Sequence, residues 1–539
     1  MDDLASDLPL TIPALWRQRV MERGEALLHV FDDERLAYAD ADRRSAHVAK
    51  GLIAAGIGKG MHVALLFPNS PDFIVGMLAA ARIGAVTVPI STLSTAEELG
   101  WLLANADVAC VLATRRYRSQ DFAAMLPEAV PGLDLSAQPP SRIASFPWLR
   151  RVWLTGEGVA GEDAGLSISA LEALGEGIDD TLLAAAEERV NAGDRFVIVH
   201  TSGSTSKPKG VVHAHGTLIR HLANINRVRD LRADDILFAT SPWFWIAGFG
   251  FGLIGTLVAG SRIVCSNAVE PARILDFIER ERPTMSNGYA PGMVRIAQDP
   301  SFAARDFSSM RRGNLHPIMP PGIRPADMDL RHNIYGMTEV GSALTMSADE
   351  TDQPEHRRGS LGQLLPEFEV RFVDPDSGED VPGGEIGELW VRGPLMMEGY
   401  YGRQRSEVFS PDGWWRSGDL CRIDADGFFY IAGRLGNMIK TAGANVSPGE
   451  VESVMRALTG AAQCHVVGIP DATRGELVAG VVVGDAPFEE ANLQKKLSAR
   501  LSSYKVPRRI VRLAESELPM LSSGKLDLAG LRALVQQRW

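Results

Sequence analysis

Residues Thr201 to Gly210 read TSGSTSKPKG, a run dense in hydroxyl side chains and glycine that also carries Lys207 and Lys209. It follows the short apolar run FVIVH, Phe196 to His200, which reads as a buried strand. A strand ending in such a loop can aim backbone N–H and side-chain O–H donors at phosphate oxygens while ammonium groups balance their charge. That is chemistry for a nucleotide triphosphate, and it assigns Thr201, Ser202, Gly203, Ser204, Thr205 and Lys209 to phosphate binding. The spacing is not GxxxxGK[ST], and Pro208 breaks the helix start that a P-loop requires, so a P-loop kinase or ATPase is disfavoured. Short hydroxyl-rich stretches are most often exposed turns, so the reading needs partners elsewhere in the chain.

Several candidates exist. IYGMTE, Ile334 to Glu339, places the Thr338 hydroxyl beside the Glu339 carboxylate at a strand end, a donor set suited to Mg²⁺ next to phosphates, or else to a helix cap. Asp419 in WWRSGDL and Arg434 in GFFYIAGR flank a predicted hairpin that brings both to one sheet edge, where a carboxylate can accept ribose hydroxyl protons. SPWFWIAGFG, Ser241 to Gly250, sets Trp243, Phe244 and Trp245 in a row; they form either one wall of an apolar slot or plain core packing. Trp243, Trp245, Gly248, Asn287 and Gly336 are the candidates for lining such a substrate slot, with Asn287 to Ala290 on the same cavity. Near the end, LPMLSSGKLDLAGL carries Lys525 in a Ser-Ser-Gly loop. No nucleophile–base triad is evident, so positioning and charge neutralisation must carry the chemistry.

The elements that must hold these groups alternate. VALLF (Val63 to Phe67) reads as a strand, Ser70 and Pro71 as the cap and first turn of a helix ending at Ile83-Gly84, and Val86 to Pro89 as the next strand. DVACVLAT (Asp107 to Thr114) continues the pattern, which predicts an α/β fold with layered lobes and a largely parallel sheet. Residues from about Leu135 to Asp194 read as connections and exposed helices. EIGELWVRG, WWRSGDLCRID and GFFYIAGR predict a small β subdomain. GEVESVMRAL, CHVVGIPD, LVAGVVVG, NLQKKLSARL and RRIVRLA predict a separate small α+β domain at the C-terminus.

Composition narrows the classes. A chain of 539 residues with 45% apolar and 23% charged residues is globular, and its net charge of −12 disfavours nucleic acid and anionic lipid as partners. Four scattered cysteines argue against a disulfide framework or structural zinc and for a reducing compartment. MDDLASDLPL lacks the basic start and apolar stretch of a secretory signal, so a cytoplasmic location is expected. Ile236 to Gly260 is uncharged and long enough to span a bilayer, yet Pro242 and its glycines favour a buried strand, loop and helix.

Taken together, TSGSTSKPKG, IYGMTE, WWRSGDL, GRLGNMIKTAGANVSPGEVE (Gly433 to Glu452) and the Lys525 segment resemble the adenylate-forming superfamily of acyl-CoA synthetases, non-ribosomal adenylation domains and luciferases, over nearly the whole chain. The early segment GLIAAGIGKGMHVALLFPNSPDFIVGMLAAARIGAVTVPI resembles that family's N-terminal βαβ region. The resemblance implies ATP-dependent activation of a carboxylic acid to acyl-AMP with pyrophosphate release, then transfer to coenzyme A, with ATP, Mg²⁺ and coenzyme A as cofactors. Tyr335 would pack near adenine, Thr338 contact the α-phosphate, Glu339 serve the metal, Asp419 hold the ribose, Arg434 contact ribose or phosphate, and Lys525 catalyse adenylation; Thr338, Glu339 and Arg434 join it as catalytic residues. Gly443 would line the thiol tunnel. Residues 1–433 would form the adenylation domain, 434–439 a hinge pivoting at Asn437, and 440–539 a mobile C-terminal domain.

Departures are local. Ser206 and Asn437 stand where the family has glycine and aspartate or lysine, Trp245 where many relatives have histidine, and RRGNLHPIMPPG (Arg311 to Gly322) replaces the usual adenine segment. With no charge in the aromatic stretch to pair an ammonium, the expected acid is apolar: fatty, aromatic or polycyclic. The alternatives are an enzyme loading a carrier protein in trans, a luciferase-type oxidase and a non-catalytic acyl or nucleotide sensor. A homodimer is left open.

Overall fold

The computed structural model describes residues 8–136, 142–156, 165–201, 208–288, 293–375, 377–435, 439–446, 448–520 and 526–539, with Gly433, Arg434 and Asn445 described by backbone alone. The first lobe is a seven-stranded sheet in the order Gly399–Tyr400, Lys209–Ala214, Arg195–Thr201, Val86–Pro89, His62–Leu66, Val108–Thr114, Arg151–Thr155. The last five are parallel, while Lys209–Ala214 pairs antiparallel with both of its neighbours. Every residue of His62–Leu66 is buried, as expected for a parallel strand covered on both faces. The helix Pro71–Arg82 starts at Ser70 with proline in its first turn and closes at Ile83, as its sequence predicts. The edge strand Arg151–Thr155 lies in a stretch expected to hold only connections and exposed helices. Its five residues carry no turn signal strong enough to mark them.

A second sheet runs Arg312–Gly313, Met285–Asn287, Ile236–Ala239, Arg262–Cys265, Leu27–Phe31, Glu34–Ala37, parallel except at its last pair. The uncharged stretch from Ile236 folds within this lobe as the strand Ile236–Ala239, a π-helix Ala247–Ile254 and the short helix Gly255–Ala259. Among the described residues no helix is long and apolar enough to cross a membrane. The RRGNLHPIMPPG segment supplies the edge strand Arg312–Gly313 and a single turn at His316–Ile318.

The expected β subdomain is a four-stranded antiparallel sheet, Glu369–Val373, Gly387–Arg392, Trp415–Ile423, Phe429–Arg434, beside a three-stranded one built on Tyr335–Met337. After it, Ile439–Thr441, Ala444–Val446, Gln463–Asp471, Gly475–Val483 and Arg509–Leu513 form a five-stranded sheet with the helices Pro448–Thr459, Glu490–Ser498 and Leu528–Gln537. Its two apolar clusters draw only on residues from Ile439 onward, and the clusters of the larger body draw on none of these. Each body therefore has its own core. The four cysteines are free and buried.

Trp243 belongs to the large core. It is fully buried, with its ring edge-on to Phe73 at 5.4 Å and 5.1 Å from His29. Its backbone amide donates to Asn69 Oδ1 at 2.8 Å. Trp243→Ala is expected to destabilise the fold by about 3–5 kcal/mol, read from denaturant unfolding, whereas Trp243→Phe should retain most of the stability.

Candidate active site

Between the two bodies lies a cleft of about 960 Å³. The strand Arg195–Thr201 brings Thr201 to the cleft rim, and Lys209 sits directly across the antiparallel ladder from it. Ser202 to Lys207 fall outside the described residues, as do Asn437 and Lys525. Lys209 Nζ lies 4.9 Å from the centre of the Tyr400 ring, so its charge is held at the cleft by an aromatic face.

The segment Tyr335–Glu339 forms an adjoining stretch of wall and is fastened by three side chains. The Tyr335 hydroxyl donates to Asp419 Oδ2 at 2.5 Å, the Tyr400 hydroxyl donates to Glu339 Oε1 at 2.8 Å, and His213 Nε2 donates to the Thr338 carbonyl at 2.6 Å. The Met397 amide adds a bond to the Glu339 carbonyl at 2.9 Å. Burial pulls His213 down to about 4, so its imidazole stays neutral at physiological pH and keeps one N–H for that carbonyl. Burial and the facing Glu339 carboxylate raise the Tyr400 phenol, which keeps it a donor. Tyr400 and His213 were not singled out from the sequence; only the aromatic pair in GYYG and the paired histidines of VVHAH hinted at them.

Gly336 is exposed to the cleft, and the antiparallel neighbour passes so close that a Cβ would meet the Ser342 carbonyl oxygen at 2.0 Å. Any side chain there would push the two strands apart. Asp419 is buried in the strand Trp415–Ile423, with its amide on Ser417 Oγ at 3.0 Å. Arg434 is its direct cross-strand partner, so the hairpin read from the sequence does bring the two positions to one edge.

Of the candidate acid-binding residues, Trp245 and Gly336 line the cleft, together with Phe244, Ile246 and Met337. Gly248 is buried inside the π-helix, Trp243 is in the core behind the wall, and Asn287 ends its strand with its carbonyl accepting from the Thr240 amide at 3.0 Å. Trp243 and Phe244 are buried and Trp245 half-buried, and of the three only Phe244 and Trp245 reach the cleft. The segment 311–322 contributes nothing to its lining.

The small body closes the cleft with the tip of the hairpin Ile439–Thr441/Ala444–Val446. Ala442 and Gly443 both take positive φ, 50° and 82°, the two-residue turn in which glycine is favoured because it has no Cβ to clash. Among the described residues no group of three or more His, Cys, Asp or Glu side chains that could hold a metal ion exists; a cation bound here would draw on single cleft carboxylates such as Glu339 and on oxygens brought by the ligand. Mg²⁺ commonly binds in that way.

Comparison with known proteins places this geometry in context. The AMP-binding enzyme family profile matches residues 16–401, and that of the AMP-binding enzyme C-terminal domain matches 450–525. A feruloyl-CoA synthase from Amycolatopsis sp. is 31% identical over 525 residues, covering 95% of this chain and 96% of that protein. The long-chain-fatty-acid–CoA ligase FadD13 of Mycobacterium tuberculosis is 29% identical, with 96% of each chain covered. Among solved structures, the amide bond synthetase McbA from Marinactinospora thermotolerans superposes with a TM-score of 0.75 at 25% identity, over 96% of this chain and 99% of that one.

Tyr335→Phe removes the hydroxyl that Asp419 accepts from, and a bond to a charged group is worth about 1.5 kcal/mol or more. The KM for ATP is expected to rise about tenfold with the KM for the acid unchanged. An unaltered KM for ATP would detach Asp419 from the nucleotide.

Proposed function

The chain belongs to the AMP-binding enzyme family and is an ATP-dependent acid–CoA ligase; from that premise we propose that its acid is hydrophobic and that the cleft runs both half-reactions. The observation that carries the reading is convergence. Thr201, Lys209, Tyr335 to Glu339, Asp419 and Gly443 come from segments hundreds of positions apart and line one cavity.

In this reading ATP lies with its phosphates toward Thr201, the 202–205 loop and Lys209, its ribose on Asp419 and Arg434, and its adenine beside Tyr335. Thr338 meets the α-phosphate. Glu339 would hold Mg²⁺, which when bound supplies charge neutralisation on the departing pyrophosphate. A carboxylate oxygen of the acid attacks the α-phosphorus as the bond to the bridging oxygen of pyrophosphate breaks, and the Lys525 ammonium balances the charge that builds up. Residues 1–433 and 440–539 then reorient about 434–439, with Asn437 as pivot. The coenzyme A sulfur, admitted past Gly443, attacks the acyl carbonyl and AMP departs.

The wall beside Gly336 supports the proposed substrate class. Phe244, Trp245, Ile246, Ala247 and Met337 are apolar there. The carboxylates Glu98 and Glu450, which also face the cleft, are both bound to Lys505 rather than free to pair a substrate ammonium. An uncharged aromatic, fatty or polycyclic acid fits this wall better than an amino acid does. The chemistry of the feruloyl- and fatty-acid-using relatives supports the same class.

The test is a panel of such acids with ATP, following pyrophosphate and AMP with and without coenzyme A. Turnover that continues only with coenzyme A is expected; adenylate that accumulates and ignores the thiol would instead favour loading of a carrier protein. Lys525→Ala should cut acid-dependent ATP–pyrophosphate exchange by about a hundredfold or more while thioester formation from supplied acyl-AMP persists. Equal loss of both steps would remove Lys525 from that role.

A further inference from the structure

The two bodies meet at a buried charge cluster that the chemistry above does not use. Glu98 is the third residue of the helix Ala96–Asn105, where its carboxylate accepts from the Thr95 amide at 3.0 Å while Thr95 Oγ1 accepts from the Glu98 amide at 3.3 Å. A glutamate in such a capping box is ordinarily solvated on its outer side. Here the carboxylate reaches across to the small body. Glu98 Oε1 accepts from the Ser502 amide at 3.1 Å and from Lys505 Nζ at 2.8 Å, and the Ser502 hydroxyl donates to Oε2. Lys505 donates a second bond, 2.8 Å, to Glu450 in the first turn of the helix Pro448–Thr459. Lys505 is 3% exposed. Beside it Tyr504 sets its ring edge-on to Trp245, with centroids 6.0 Å apart.

Burying an ammonium between two carboxylates contributes little net stability, because desolvation offsets most of the attraction, whereas removing one partner is costly. The cluster is therefore demanding about geometry. Burial alone penalises the Lys505 charge, but the facing Tyr504, Glu98 and Glu450 hold its pKa above the ordinary lysine value. Burial raises Glu450 even with Lys505 beside it. The three bonds from the small body to Glu98 are made together in the orientation that also brings Gly443 to the cleft and Tyr504 to Trp245, while the Lys505–Glu450 bond lies within the small body. If the small body rotates away, water can solvate Glu98 while Lys505 keeps Glu450 as its partner, so the contact can break without a large loss, as a contact renewed at each turnover must.

We propose that Glu98, Ser502 and Lys505 form a latch that positions the small domain for the thiol-transfer step and has no part in adenylation. The proposal rests on the two-step reading of the cleft given above. These are positioning residues, since none of them needs to touch the reacting atoms. Glu98 belongs to the latch only through its outer side, and a glutamine there still caps the helix.

The test separates the half-reactions. In Glu98→Gln, thioester formation from supplied acyl-AMP and coenzyme A is expected to fall about ten- to a hundredfold, while acid-dependent ATP–pyrophosphate exchange stays within about twofold of the parent. Ser502→Ala, which leaves no buried charge unpaired, should shift the same step in the same direction by a smaller factor, and it keeps the test open if Glu98→Gln folds poorly. Equal losses in both steps, or no loss in thioester formation from either variant, would overturn the latch. Failure of the parent enzyme to make any thioester with coenzyme A would overturn the two-step reading, and the latch with it.

Discussion

The Tyr335–Glu339 strand end is the constraint on which the rest of the site depends. Five consecutive residues are tied by three side chains to two other sheets: through Tyr335 to Asp419 in the four-stranded sheet, and through Thr338 to His213 and Glu339 to Tyr400 in the seven-stranded sheet. Each tie is buried or half-buried, and burial keeps the His213 imidazole neutral and the Tyr400 phenol protonated at physiological pH. A polar network of this kind rigidifies its members when fully satisfied. It fixes the Thr338 hydroxyl, the Glu339 carboxylate and the Tyr335 ring relative to one another before any ligand arrives, and it leaves Lys209 across Tyr400. Preorganisation of this sort is what a reaction with no covalent intermediate on the protein needs most.

The sequence made some of this legible and hid the rest, for physical reasons. Strands that are buried on both faces, such as His62–Leu66, and the proline-started helix after them announce themselves by local composition. The hairpin that pairs Asp419 with Arg434 could be read because antiparallel neighbours close in sequence have few alternative registers. The aromatic row was harder. Nothing local distinguishes Trp243, which fills the core, from Trp245, which faces the cleft, because the chain there leaves regular structure and neither a period of 2 nor one of 3.6 applies. The edge strand Arg151–Thr155 escaped notice because its neighbours, not its residues, make it a strand.

Long-range polar contacts were the least visible. The pairing of Glu98 with Ser502 and Lys505 spans about four hundred positions, and its only trace in the sequence is the Thr95-to-Glu98 capping pattern, which by itself says nothing of a second use for the carboxylate. His213 and Tyr400 are similar: their importance comes from what the fold brings above them. The separate cores of the two bodies explain why local patterns sufficed for the architecture of each and not for their contact.

The thiols have a bearing on fidelity. Burial pushes Cys265 and Cys421 up to about 12 and raises Cys110 and Cys464 as well. Cys421 stands two positions beyond Asp419, next to where a mixed anhydride would be generated. Only the thiolate is an effective nucleophile, and at neutral pH none of these sulfurs is ionised to a useful extent. Self-acylation is thereby suppressed, and the activated acyl group is left for the incoming thiol.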